Sequence, residues 1–175
     1  MRKLTFFFLI CASLAMSGCV EKSNIIPIQA VNELDINKFM GTWYEMANSR
    51  NSSKTPRAGF TVTFSMNEKG LITVLLKYHE KTLYGPFKES TGKGKWLGPK
   101  HPGIIKISFF LNSYGDYHIL DIDKDYTRAL ILKQNSRNFR ILSRVPALSV
   151  EDIKYLKEKI RSIGYNPDDL VWIEH

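Results

Sequence analysis

The sequence predicts an all-β domain, a sandwich or a barrel, carrying one C-terminal helix. Three observations lead there. Between Met40 and Arg144 eight β-rich runs are separated by turn chemistry, residues within a run alternate between apolar and polar, and one apolar stripe at helical spacing follows them. The runs are Gly41–Ser49, Gly59–Met66, Leu71–His79, Lys88–Trp96, Ile104–Phe110, Asp116–Ile122, Tyr126–Lys133 and Asn138–Arg144. In the second, Phe60, Val62 and Phe64 alternate with Thr61, Thr63 and Ser65, giving one dry and one polar face, and Asn67-Glu68-Lys69-Gly70 supplies a hairpin turn. Ser149 offers a helix cap with Asp152 three residues on, and Val150, Ile153, Leu156, Ile160 and Ile163 form the stripe that ends before Gly164. A last short strand, Leu170–Glu174 with Trp172, is placed to return to the sheet edge.

The chain opens with Met1-Arg2-Lys3, an apolar stretch from Leu4 to Met16, and Ser17-Gly18-Cys19. A charged start, an apolar centre and small residues before a cut are the parts of an export signal, and the stretch is shorter than the roughly 20 residues of a spanning helix. Met16-Ser17-Gly18-Cys19 resembles a bacterial lipobox, which implies acylation of Cys19 and a mature chain that begins there; an ordinary secretory signal with an incidental cysteine is the competing reading. The expected organisation is a signal peptide at 1–18, a lipidated tether at 19–33 around Pro27, and one β domain at 34–175.

Removing residues 1–18 from the 175 leaves 157, a length that suits a single core. Arg2 and Lys3 leave with the signal, taking the formal net charge from +8 to +6, and the remaining basic residues are scattered among acids. That distribution fits solubility, or attraction to an anionic membrane surface, better than nucleic-acid binding. Cys11 and Cys19 are the only cysteines, so no internal disulfide staples the mature domain.

Several chemistries are excluded by residue type and spacing. Asp121-Ile122-Asp123-Lys124-Asp125 begins like a calcium loop, but Tyr126 and Leu132 stand where that loop needs Gly and a bidentate Glu. His79-Glu80 starts a zinc-protease pattern that Leu83 breaks, in a run that is strand-like rather than helical. No nucleophile elbow, phosphate-binding glycine loop or clustered histidine is present, so neither a catalytic residue, a metal site nor a cofactor is expected.

Asn37-Lys38-Phe39-Met40-Gly41-Thr42-Trp43-Tyr44 resembles the Gly-x-Trp signature of the lipocalin family. Asp125-Tyr126 with Ala129 resembles that family's second motif, and Ile141-Leu142-Ser143-Arg144-Val145-Pro146 its third. Gly92-Lys93, Ser108-Phe109-Phe110 and Trp172 extend the resemblance to the bacterial outer-membrane lipoprotein lipocalins, over about Val31 to Glu174. The resemblance implies an eight-stranded antiparallel up-and-down barrel of lipocalin type with the helix on its flank. It also implies that Trp43 and Arg144 close one end, a guanidinium covering an indole.

The implied function is a membrane-anchored, non-enzymatic carrier that binds, stores or transports a fatty acid, lysophospholipid or similar lipid and supports envelope maintenance. Its expected location is the bacterial outer membrane, on the periplasmic face. Its partners are then a small hydrophobic ligand and the membrane, and a homodimer is compatible with the sequence. The alternatives are a non-binding envelope scaffold, its barrel filled by side chains, or a barrel enzyme acting on a lipophilic substrate. Alternation nominates Phe60, Val62, Phe64, Ile107, Phe109 and Leu142 as cavity wall. If Arg144 points into the floor, parity along its strand turns Leu142 and Arg140 inward too. Arg140 then meets a ligand carboxylate or phosphate, or pairs with an interior acid such as Glu45; a bulge would instead turn it out to solvent.

Overall fold

The computed structural model describes residues 28–49, 54–134, 136 and 138–175. The signal, Cys19 and the tether up to residue 27 lie outside the described residues. Strands β1 (Gly41–Ser49), β2 (Arg57–Met66), β3 (Leu71–Glu80), β4 (Phe87–Trp96), β5 (Ile104–Ser108), β6 (Gly115–Ile122), β7 (Arg128–Lys133) and β8 (Asn138–Ser143) pair antiparallel in sequence order. β1 pairs with β8 and also, through Gly41–Tyr44 against Phe64–Thr61, with β2, which closes the sheet into a barrel. Closure removes the free edges that an open sheet would expose.

The ninth strand, β9 (Leu170–Trp172), lies against Ala47, Asn48 and Ser49 of β1. β2 leaves that part of the β1 edge free, because the β2–β3 register shifts between Ala58 and Thr61, and the Gly59 N–H donates instead to the Glu174 carbonyl at 2.6 Å. The last strand therefore completes the barrel wall.

Two packed layers follow from strand alternation. One set of side chains fills the barrel, among them Trp43, Val62, Phe64, Ile107 and Leu142; the other, including Ala47, Leu130, Phe139 and Ile141, lies outside beneath helix α2 (Val150–Ser162). Leu156 and Ile160 are the buried residues of the predicted stripe, whereas Val150 at its start stays exposed. Asp152 reciprocates the Ser149 cap and binds Arg128 at 2.6 Å, while Tyr155 donates to Asp121 at 2.7 Å, so polar contacts fix the helix to β6 and β7.

Three boundaries differ from the sequence reading. β5 stops at Ser108 rather than Phe110, because the Ser108 hydroxyl donates to the Phe110 carbonyl at 3.2 Å and the chain turns through Leu111 at φ +48. β7 starts at Arg128 rather than Tyr126: the Asp123 carboxylate takes the N–H groups of Thr127 and Arg128, and Tyr126 turns at φ +57. A short helix, α1 (Ile36–Phe39), precedes β1, capped by Asp35; its four residues are too few to show a period in the sequence.

Candidate functional site

α1 and the start of β1 close one end of the barrel. Trp43 is fully buried and its indole N–H donates to the Phe39 carbonyl at 2.9 Å. The Arg144 guanidinium lies 3.7 Å from the indole ring centre and donates to the carbonyls of Lys38 (2.7 Å), Met40 (2.8 Å), Thr42 (2.9 Å) and Tyr126 (3.2 Å). Carbonyls at the end of a helix and a strand edge are left without backbone partners, and one planar cation with five donors satisfies several of them at once. Partial burial pushes the Arg144 pKa down. Gly41 sits at φ +98 with Arg144 Nη1 only 3.2 Å from where a β-carbon would stand, so the glycine of Gly-x-Trp lets the guanidinium reach the rim.

Above this floor the interior is a narrow apolar cavity. The unfilled space, mouth included, is about 520 Å³, and about 40 Å³ of it is wide enough for the centre of a water molecule. Val62, Phe64, Ile107, Phe109, Leu142 and Arg140 line it. Phe60 is fully buried but does not line the cavity; its ring stacks on Tyr78 at 5.3 Å and faces the Arg140 guanidinium at 5.9 Å. Phe109 lies past the end of β5, across Gly92, where a β-carbon would come within 2.8 Å of the ring. The wall also includes Val74 and Leu76 on β3, Ile105 on β5, Tyr117 and Ile119 on β6 and Ile131 on β7, which the sequence reading did not name. Their own alternation, Ile72-x-Val74-x-Leu76 and Ile105-x-Ile107, carried the signal.

One polar cluster interrupts the apolar wall. Arg140 forms an ion pair with Glu45, which is 0% exposed, and Asn48 donates to the other Glu45 oxygen at 2.7 Å. A bulge between Glu45 and Ala47 brings Glu45 and Asn48 to the same face, so that both meet Arg140. Burial alone would lower the Arg140 pKa, but the charges of Glu45 and Tyr117 and the bond to Glu45 outweigh it and raise it. Burial likewise raises the Tyr117 pKa, against the opposing pull of Arg140. Of the placements open to Arg140 from sequence, the structure combines two: it faces the cavity and it is already paired. The cluster therefore offers a donor and an acceptor with no net charge.

The chain matches the lipocalin-like domain model over residues 34–175. It is 26% identical to the outer membrane lipoprotein Blc of Escherichia coli K12 over 174 residues, covering 99% of this chain and 98% of that protein. The protein of the same name from Vibrio cholerae is 27% identical, covering 95% and 96%. Temperature-induced lipocalin-1 of Arabidopsis thaliana is 32% identical, covering 79% of this chain and 78% of the plant protein. Among solved structures, insecticyanin from the tobacco hornworm superposes with a TM-score of 0.67 at 13% identity, covering 85% and 84% of the two chains, which shows a shared fold. The cavity, the floor pair and these matches agree, and the chain belongs to the lipocalin family.

Proposed function

We propose that the protein is a lipid carrier of the bacterial envelope, acylated at Cys19, held at the periplasmic face of the outer membrane, and taking one slender acyl chain into its barrel. The observation that carries the reading is an apolar, one-ended cavity broken by a single polar cluster. An acyl chain gains roughly 25 cal/mol per Å² of apolar area removed from water, and the Arg140–Glu45 cluster orients the head. The narrow bore favours an unbranched chain over a ring system. Fatty acids and lysophospholipids meet that description, and the relatives named outer membrane lipoprotein support the location. Binding, not catalysis, is the proposed activity.

The same narrowness supports a second reading, a scaffold whose barrel is filled by its own side chains. Native mass spectrometry of the protein purified from cells separates the two. A retained lipid of defined mass is expected. A chain that carries none, and that takes up none from added fatty acid or lysophospholipid, would leave the scaffold; turnover of the lipid by pure protein would require an enzyme.

A further inference from the structure

The two ends of the barrel differ in charge and in apolar exposure. The connections β2–β3, β4–β5 and β6–β7, at the closed end, carry three acids (Glu68, Asp123, Asp125) and three lysines (Lys69, Lys100, Lys124). Those at the open end, residues 50–56, 81–86, 109–114 and 134–137, carry Arg50, Lys54, Lys81 and Arg137 and no acid. The open end also holds the large exposed apolar side chains of the loops: Tyr84 is 99% exposed, Phe110 and Leu111 are each 74% exposed, and Phe109 is 42% exposed. Leu111 is held at φ +48, unusual for a residue with a β-carbon, by a loop that the Ser108 hydroxyl and the Lys93–Asn112 bond of 2.8 Å brace. Bracing a loop so as to keep apolar groups in water gives the isolated domain nothing.

We propose that the open end of the barrel docks on an anionic lipid bilayer, the Phe110-Leu111 tip and Tyr84 entering the interface and the loop cations meeting lipid phosphates. Aromatic and aliphatic side chains framed by lysine and arginine without acids are the surface chemistry that such a membrane selects. A protein partner of mixed charge would leave the uniform sign unexplained. An anchor at Cys19 would not choose the orientation by itself: the nine residues from there to Ile28 span at most about 30 Å, comparable to the height of the barrel. The loops choose it. Together with the proposed carrier role, on which this clause rests, docking opens the cavity to the bilayer, since Phe109 both lines the cavity and reaches the exposed rim. A lipid then enters without crossing water.

The mature chain contains no cysteine besides Cys19, so a single introduced thiol can be labelled with an environment-sensitive nitrobenzoxadiazole dye. Ser113→Cys reports the open end and Lys69→Cys the closed end, in the full-length mature protein mixed with vesicles of phosphatidylcholine and brominated phosphatidylglycerol. Bromolipid should quench the Ser113 label several-fold more than the Lys69 label. The quenching should fall when the salt is raised from 0.01 M to 1 M, which shortens the Debye length from about 30 to about 3 Å. Lys54→Glu, alone or with Lys81→Glu, should lower it too. Equal quenching of both labels, or stronger quenching at Lys69, overturns the orientation. Quenching indifferent to salt and to these substitutions overturns the charge argument. A blue-shifted Ser113 label without bromolipid quenching, at twice the monomer mass, would mean that a second copy covers the mouth. None of these readouts depends on cargo, so an empty cavity would sink the carrier reading and leave the docking result standing.

Discussion

Replacing Glu45 with Gln should strengthen the binding of a fatty acid and weaken the empty protein. Gln keeps the shape and an oxygen for the Asn48 donor at 2.7 Å, but removes the charge that neutralises Arg140. Removing one partner of a buried ion pair costs about 3–5 kcal/mol. The Arg140 side chain is 24% exposed, so water relieves part of its charge and the cost should sit near the lower end, about 3 kcal/mol. A fatty-acid carboxylate entering the cavity then replaces the lost partner. A hydrogen bond to a charged group contributes about 1.5–3 kcal/mol, which corresponds to roughly 10- to 150-fold in affinity. Arg140→Gln should do the opposite, weakening the acid by roughly one to two orders of magnitude, because the Glu45 carboxylate is then left facing it. A fatty alcohol of equal length should respond little to either change. Isothermal titration with the acid and the alcohol, at a pH where the acid is ionised, measures both ratios. Urea unfolding with and without ligand measures the stability loss and its recovery. If Glu45→Gln leaves the ratio of acid to alcohol affinity unchanged, the head group does not sit at this pair and the reasoning fails.

The remaining predictions concern the floor, a turn and the anchor. Trp43→Ala should cost about 3–5 kcal/mol, as emptying a large buried aromatic site does; Arg144→Ala should cost less, and the two losses should not add, so a double-mutant cycle without coupling would contradict the 3.7 Å contact. Partial burial would raise the Asp123 pKa, but bonds from Arg128 and from the Thr127 hydroxyl and N–H hold it below the usual carboxylate value. A depressed folded pKa adds stability above the unfolded value and loses it as pH falls through the folded one. The stability gap between the native chain and Asp123→Asn should therefore narrow on acidification below about pH 4, and a gap independent of pH would refute this. Cys19→Ala should abolish incorporation of radiolabelled palmitate, and undiminished labelling would refute acylation at that residue.

The sequence by itself determined the elements that have a period. Alternation placed Phe60, Val62 and Phe64 on one face of β2 and turned Arg140 and Leu142 inward on β8, because side chains on a strand alternate wherever its pairing is regular. The spacing of Leu156 and Ile160 on α2 was legible for the same reason. The family's motifs in Gly41, Trp43 and Arg144 brought together residues a hundred positions apart, and the structure supplies their reason in one guanidinium that serves carbonyls from α1, β1 and the β6–β7 turn.

Only the tertiary structure decided where periodicity breaks. The β1 bulge that turns Glu45 and Asn48 toward Arg140 cancels that cation's charge, so a residue that parity alone presents as a bare anion site is one half of a neutral pair. The early end of β5 sends Phe109 over Gly92 and exposes Phe110 and Leu111. Phe60 is inside yet off the cavity, because its neighbours Tyr78 and Arg140 occupy the space before it. A strand pattern records which face a residue takes, and bulges, turns and partners across the barrel decide what it meets there.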